Sequence, residues 1–301
     1  MNLPSFLTGG SSFPHPHSPA GRHLTPQQIE KHFAPKSFGV IDIPRVMHEK
    51  EHWPMSAKLM NLWLNAPAKK MTIAEKTGDV KASNYPTRYV STDLFTIVWL
   101  LKFKTASDGY ASLKKNLKTD GAINKIRQIV KAQKNLFGSS CIQISNSLLP
   151  VELHTNWQFQ FQPVGFSFSE GLDDLYGSLG RFAWYAAIVD AIYIGPEKSH
   201  KASLQIMKIG VYMRDTFEFL GGQYLGHWNT NGMKIDVSSV IAARLSDEFE
   251  CHWNLNDNIL GEMQPINNSD FNSYRAATRR GGDLMIFSNV RVEDVSLTIE
   301  L

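Results

Sequence analysis

The sequence contains few cysteines and no long apolar segment. Its two cysteines, Cys141 and Cys251, lie far apart and have no neighbouring partner. They exclude a disulfide framework and a C-x-x-C metal site, so we expect two reduced thiols. The longest apolar run, Leu94 to Leu101, is much shorter than the roughly 18 residues that a membrane helix needs. The sequence therefore predicts no transmembrane segment.

The N-terminus also lacks the features of a secretory signal peptide. Its first residues, MNLPSFLTGGSSFPHPHSPAG, have neither a basic start nor a continuous apolar stretch. We expect a protein that is cytoplasmic in the cell that produces it, and export would need another route. Residues 1–36 are rich in Pro, Gly, Ser and His, including His15, His17 and His23, and predict a flexible tail. Weak metal binding by its PHPH piece is the less favoured alternative.

A strongly basic overall charge is missing as well. The formal net charge is only +3, and residues 102–134 carry nine Lys or Arg and two Asp. The remaining chain is therefore acidic, at 3 − 7 = −4. Nucleic acid is an unlikely partner, because a dedicated binder concentrates positive charge over a face of the whole domain. A solvated helix face is the favoured interpretation of the basic segment.

The first part of the globular region, residues 37–147, reads as helix-rich. FGVIDIP, from Phe38 to Pro44, predicts a short strand that the proline ends. Helical spacing of apolar residues after Pro54 predicts a buried helix. The run from Leu94 to Phe103 predicts a buried strand, although a short helix fits the same pattern. A basic amphipathic helix is predicted from Gly121 to Phe137.

Residues 148–301 read as rich in antiparallel strands. Trp157, Phe159 and Phe161 alternate with glutamines in the period of a half-buried strand. A short helical turn around 172–178 and a helix from Ser269 or Asp270 to Gly281 interrupt the strands. The expected fold is α+β, one globular body with a mainly antiparallel sheet in its C-terminal half and a helical N-terminal region packed on it. Further strands are predicted at 181–194, 204–214, 223–228 and 283–290.

One short motif matches a metal-binding pattern. His48, Glu49 and His52 satisfy H-E-x-x-H, in which two histidines on one helix face bind zinc and the glutamate activates water. Pro44 and Pro54 leave room for only about two helical turns, and no third ligand follows at a suitable spacing. We therefore expect no metal here and interpret the motif as an exposed charged turn. The sequence assigns no cofactor.

The densest group of chemically active residues lies at the end of a predicted strand. Arg214, Asp215, Glu218 and His227 fall within a short segment beside Gly221 and Gly222. A carboxylate would act as general base or metal ligand, the imidazole would shuttle a proton, and the guanidinium would stabilise an anionic transition state. The alternative is an edge-strand salt bridge and a hairpin.

A second acidic pair lies earlier in the chain. Asp173 and Asp174 precede an apolar segment, where carboxylates favour the positive end of a helix dipole. We expect a helix N-terminus there.

Several segments resemble a bacterial family known only as domain of unknown function number 6402. They are IDIPRVM, WPMSAKLMNLWLNAPA, LHTNWQFQFQPV, DDLYGSLGRF, VYMRDTFEFLGGQYLGHW and FNSYRAATRRGGDLMIFSNV, in order over roughly residues 40 to 290. The resemblance implies a Gram-negative bacterium and an association with type VI secretion gene clusters. It implies no particular chemistry.

Three functions are compatible with this resemblance. The first is an antibacterial effector that reaches a target cell without a signal peptide, with an immunity protein as a partner. The second is an adaptor that binds the secretion spike or another effector. The third is a hydrolase similar to colicin M-like toxins, which cleave a lipid-linked peptidoglycan precursor with an Asp-x-Tyr-Asp cluster followed by His-Arg. Asp215, Phe217, Glu218 and His227 follow this pattern in part, with Trp228 in place of the arginine.

Overall fold

The computed structural model describes residues 38–77, 81–133, 140–165, 171–197, 201–235 and 263–301. The predicted flexible tail, residues 1–36, lies outside the described residues. The described residues belong to one compact unit that extends from Phe38 to Leu301.

The helices are short and concentrated in the first half of the chain. Two single 3-10 turns lie just before β1, and a third, Val40–Asp42, leads directly into the first α-helix. The α-helices of the described residues are α1 (Ile43–Glu49), α2 (Pro54–Asn65), α3 (Ile73–Thr77), α4 (Ile97–Leu100), α5 (Lys104–Lys115), α6 (Asp120–Ala132), α7 (Pro150–Asn156), α8 (Asp174–Ser178) and α9 (Asn268–Thr278).

The strands form one large sheet and one small sheet. They are β1 (Val90–Phe95), β2 (Cys141–Ser145), β3 (Gln158–Val164), β4 (Phe182–Ile194), β5 (Ser203–Phe217), β6 (Tyr224–Asn229), β7 (Gly232–Lys234), β8 (Gln264–Asn267), β9 (Leu284–Ser288) and β10 (Arg291–Glu300).

The large sheet has the order β1-β9-β5-β4-β2, with β10 also paired to β5 and β3 also paired to β4. All of these pairs are antiparallel except β1 with β9. The small sheet has the antiparallel order β7-β6-β8. These features confirm the predicted α+β class, and they add that β1 and β2 come from the segment predicted to be helix-rich.

Successive parts of the longest strand, β5, pair with two different strands along one edge. Residues 203–211 pair with β10, whereas Arg214 to Phe217 pair with β9. On its other side, β5 pairs with β4 as far as Arg214, which lies opposite Ala183. The last residues of β5 therefore lie where the large sheet, the small sheet and the helices meet.

One prediction in the first half of the chain was wrong, and a second was right only in part. The FGVIDIP segment is helical, because Pro44 occupies the first turn of α1, where proline is tolerated since the missing N–H has no helical partner. The run from Leu94 to Phe103 is divided between β1 and α4. Thr96 begins α4, since its hydroxyl accepts a hydrogen bond from the backbone N–H of Trp99 at 3.2 Å.

Other predicted elements are confirmed with small changes in their ends. α2 begins at Pro54, β3 carries the predicted alternation, and β4, β5, β6 and β9 cover the four further predicted strands. The basic helix ends at Ala132, and the rest of its predicted span, from residue 134, lies outside the described residues.

None of the described helices is both long and apolar enough to cross a membrane.

The N-terminal helices are joined to the large sheet around Trp63, which is fully buried. The N–H of Gly281 donates to the carbonyl of Ala66 at 2.9 Å, and Gly281 has a φ of 91°. A Cβ at this position would lie 2.5 Å from the indole of Trp63. Only glycine therefore fits at this position. The same contacts join two of the segments that carry the family resemblance, WPMSAKLMNLWLNAPA and FNSYRAATRRGGDLMIFSNV.

Candidate functional site

A cavity with a volume of about 710 Å³ lies at the end of β5. Its walls come from α1, α2, α8, the small sheet and the start of α9. This volume is within the range of roughly 300 to 1,000 Å³ that is typical of small-molecule sites. Most of the wall is apolar, including Ile43, Met47, Trp53, Phe217, Trp228 and Phe271.

Asp215 is the ionisable residue at the point where the large sheet meets this cavity. It pairs with Ile286 of β9 and lines the cavity, where its side chain is half-buried. Burial raises the pKa of its carboxyl well above the ordinary value, and the charge of Glu218 adds to the rise. The Thr216 backbone N–H and Arg214 oppose this effect without reversing it. Burial therefore disfavours the ionised form of Asp215 at this end of the cavity.

Glu218 is the second carboxyl group of the cavity and has a different environment. Its carboxylate lies 2.5 Å from the ammonium of Lys76, and both side chains are 18% exposed. Burial raises the pKa of Glu218, while the hydrogen bond to Lys76 lowers it. Both carboxyl groups are therefore harder to ionise than an exposed carboxyl, and each has a nearby cation that opposes this effect, Lys76 for Glu218 and Arg214 for Asp215.

Arg214 lies on the opposite face of β5 from Asp215, because successive residues of a strand point to opposite sides. Its Nη2 donates to the backbone carbonyl of Lys76 at 3.4 Å. Within the described ranges it forms no ion pair with Asp215. The predicted salt bridge between these neighbours is therefore absent from the part of the chain that the structure describes.

His227 belongs to the small sheet. It lies in β6, is 1% exposed, and its Nδ1 hydrogen-bonds the hydroxyl of Tyr224. Tyr224 lines the cavity, whereas His227 does not. The structure thus places Asp215 and Glu218 in one cavity, and places Arg214 and His227 behind its walls. Of the residues that partly follow the colicin M-like pattern, Asp215, Phe217 and Glu218 line the cavity and His227 does not.

The H-E-x-x-H segment does not form a helical pair of histidines. His48 lies in α1, whereas His52 follows the helix in the left-handed region, with a φ of 59°. Glu51 instead accepts a hydrogen bond from the backbone N–H of Met233 at 2.7 Å, which attaches the small sheet to α1. No group of three or more metal-ligating side chains occurs in the residues described.

The second acidic pair, Asp173 and Asp174, begins two helices. Asp173 accepts a hydrogen bond from the N–H of Tyr176 and caps its own helix, α8. Asp174 caps α2 from a distance, because it accepts from the backbone N–H groups of Met55 at 3.0 Å and Ser56 at 2.8 Å. The Ser56 hydroxyl adds a third bond at 2.7 Å. Both carboxylates therefore stabilise helix N-termini, as predicted.

Sequence reasoning missed Arg181 as a residue of the cavity. Arg181 is exposed and lines the cavity. Arg181 directly precedes β4, whose residue Ala183 pairs with Arg214 of β5. It has no hydrogen bond or ion pair with another described residue. The signal available in the sequence was an arginine between Gly180 and the start of a predicted strand.

Sequence reasoning also missed a buried histidine on the other face of the sheet. His154 Nδ1 lies 3.1 Å from the hydroxyl of Tyr212. Burial, together with the smaller effects of the charges of Arg214 and Lys125, lowers the pKa of His154 to about 3. The imidazole is therefore neutral at physiological pH and has a structural role in packing against Tyr185.

The fold and the site define an α+β protein with a largely apolar cavity at the end of its longest strand, lined by the carboxyl groups of Asp215 and Glu218. The sequence model of the family described as "Family of unknown function (DUF6402)" matches residues 38–301. The chain belongs to this family. No curated protein and no solved structure matches it.

Proposed function

We propose that this protein is an antibacterial effector associated with type VI secretion, and that it acts through the cavity at the end of β5. The observation that carries the proposal is Asp215, a carboxyl group with a raised pKa that opens into a cavity of about 710 Å³. Strongly perturbed acids in clefts are typical of functional sites. The association with secretion is supported by the family resemblance.

The chemistry that fits this site is hydrolysis by a general acid and a general base. Protonated Asp215 donates its proton to the oxygen of the leaving group as the bond to it breaks. Glu218, whose carboxylate is paired with Lys76, accepts a proton from the attacking water, whose oxygen forms the new bond. One proton enters and one leaves, so the pair exchanges its protonation states and resets through solvent.

Arg214 and His227 have indirect roles in this proposal. The charge of Arg214 opposes the rise in the pKa of Asp215 and so limits how firmly the proton is held. His227 holds the hydroxyl of Tyr224, which forms part of the cavity wall. Neither residue touches the proposed reacting atoms.

The second candidate function is an adaptor without catalytic activity. It is favoured by the predominantly apolar wall, and by Leu148 and Leu149, whose side chains are 49% and 57% exposed. Exposed apolar groups of this kind contact partner proteins when they form a patch. The partner would be the secretion spike, another effector or an immunity protein.

Expression in a susceptible bacterium separates these functions. The chain is produced once in the cytoplasm and once with an added export signal in the periplasm, and viable cells are counted. An effector should kill from at least one compartment, because its substrate is present there. Survival in both compartments, at matched protein levels, would reject the effector and favour the adaptor.

A further inference from the structure

The polar groups of the cavity are mostly satisfied within the protein. The Ser178 hydroxyl donates to the carbonyl of Asp174 at 2.7 Å, and the Asn268 amide donates to the carbonyl of Leu220 at 2.6 Å. Glu218 is paired with Lys76. A ligand rich in hydroxyl or amide groups, such as a sugar, would find few partners in this wall, and each unpaired buried polar group costs about 1 to 3 kcal/mol.

The bonding capacity that remains is concentrated at one place. Asp215 and Thr216 are adjacent at the end of β5, and Arg181, which directly precedes β4, lines the same cavity. Arg181 has no ion pair within the described ranges. Glu218 is compensated by Lys76, and burial disfavours the ionised form of Asp215. Among the described residues that line the cavity, Arg181 is the one cation, and no carboxylate is paired with it. This end of the cavity is suited to an anionic group with oxygen acceptors.

The rest of the wall is suited to a flexible apolar chain. Met47, Met60 and Met233 line it together with Trp53 and Trp228. Methionine side chains adapt to irregular apolar partners, and each methylene moved from water into such a wall contributes about 0.8 kcal/mol. A rigid polar ring would gain less from these contacts than a hydrocarbon chain.

We propose that the cavity binds an amphiphile with one hydrocarbon chain and an anionic head, with the head at Arg181 and the chain along the methionines. This assignment rests on the proposal that the cavity is the functional site. The guanidinium of Arg181 attracts the anion and donates hydrogen bonds to its oxygens. The ligand class therefore includes fatty acids and single-chain phosphate esters.

Binding is measured on the full chain by tryptophan fluorescence, since Trp53 and Trp228 line the cavity. Three probes share the same dodecyl chain and differ in the head: laurate, lauryl alcohol and dodecyltrimethylammonium. Laurate should bind most tightly and the ammonium compound most weakly. Equal affinities for the three probes, or no binding of laurate, would overturn the proposal.

Arg181→Gln tests the position of the head group. It should weaken laurate binding roughly fivefold, as for the loss of one exposed ion pair, and leave lauryl alcohol unchanged. Arg88→Gln is the matched control, because Arg88 is an exposed arginine that does not line the cavity, and it should leave both affinities unchanged. Unchanged laurate binding in Arg181→Gln would contradict the assigned position.

Lauryl phosphate and vesicles of phosphatidylglycerol distinguish the source of the anion. Binding of the dissolved phosphate without co-flotation on vesicles supports a free amphiphile, whereas co-flotation that Arg181→Gln abolishes supports a lipid taken from a bilayer. Toxicity that depends on Asp215, without laurate binding, would reject the ligand class and leave the proposed function standing. Laurate binding without toxicity in either compartment would reject the function and leave the ligand class standing.

Discussion

Replacement of Asp283 by alanine should destabilise this protein more than any surface change. Asp283 is 0% exposed and accepts hydrogen bonds from Trp63 Nε1 at 3.2 Å and from the backbone N–H of Met71 at 2.8 Å. It also pairs with Arg275, whose side chain is 10% exposed. Nε and Nη1 of Arg275 are buried and have no hydrogen-bond partner among the residues that the structure describes. Asp283→Ala would therefore leave a buried guanidinium without its counter-charge.

The expected loss follows from these contacts. Breaking one side of a buried ion pair costs about 3 to 5 kcal/mol, and leaving the indole N–H of Trp63 without an acceptor adds about 1 kcal/mol or more. The free energy of unfolding should fall by about 4 to 6 kcal/mol. For a domain of this size, this corresponds to a fall in Tm of roughly 10 to 20 °C. Urea unfolding and thermal unfolding, both followed by circular dichroism, measure it.

Two further variants test the reasoning. Asp283→Ala combined with Arg275→Met should recover part of the loss, because the double variant no longer buries an unpaired charge. Asp93→Ala, which removes an exposed carboxylate, should change stability by less than about 0.5 kcal/mol. A loss below about 1 kcal/mol in Asp283→Ala, or a double variant less stable than the single one, would refute the account.

Three other predictions concern capping, pH and metal. Asp174→Ala should cost about 1 to 3 kcal/mol in urea unfolding, because it leaves the N-terminus of α2 uncapped, and a loss within error would contradict this. The pKa of Asp215 is raised in the folded protein above its unfolded value of about 3.9, so the free energy of unfolding should fall as pH rises from about 4 towards the folded pKa. Urea unfolding across pH should show a flatter profile in Asp215→Asn than in the unaltered protein. Identical profiles would count against the raised pKa. Elemental analysis should find no stoichiometric zinc, because His52 lies outside the helix that carries His48; one zinc per chain, lost on changing both to alanine, would overturn this.

The large sheet could be predicted in part because its strands carry local signals. The alternation of Phe159 and Phe161 with glutamines fixed β3, and the apolar runs of β4 and β5 identified the central strands. The parallel pairing of β1 with β9 could not be predicted, since its partners lie far apart in the chain and neither strand encodes the other. Pro44 was misread because proline ends strands and also begins helices.

The candidate site was predicted in part for a similar reason. Asp215 and Glu218 fall at a strand end beside a glycine turn, which is a local signal. Strand alternation already places Arg214 on the other face from Asp215. The position of His227 depends on the small sheet, and that of Arg181 depends on the register of β4 with β5. Both are long-range features that sequence periodicity does not contain.

The most direct test of the central claim is a paired measurement of toxicity and Tm for Asp215→Asn. Asp93→Asn serves as the exposed control, and Glu218→Gln as the second cavity variant. If the cavity is the functional site, Asp215→Asn and Glu218→Gln should abolish toxicity at unchanged expression, and Asp93→Asn should not. The Tm of Asp215→Asn should stay at or above that of the unaltered protein, because asparagine removes a carboxyl whose ionised form is disfavoured by burial. Full toxicity in both cavity variants, or toxicity lost only together with the fold, would contradict the claim.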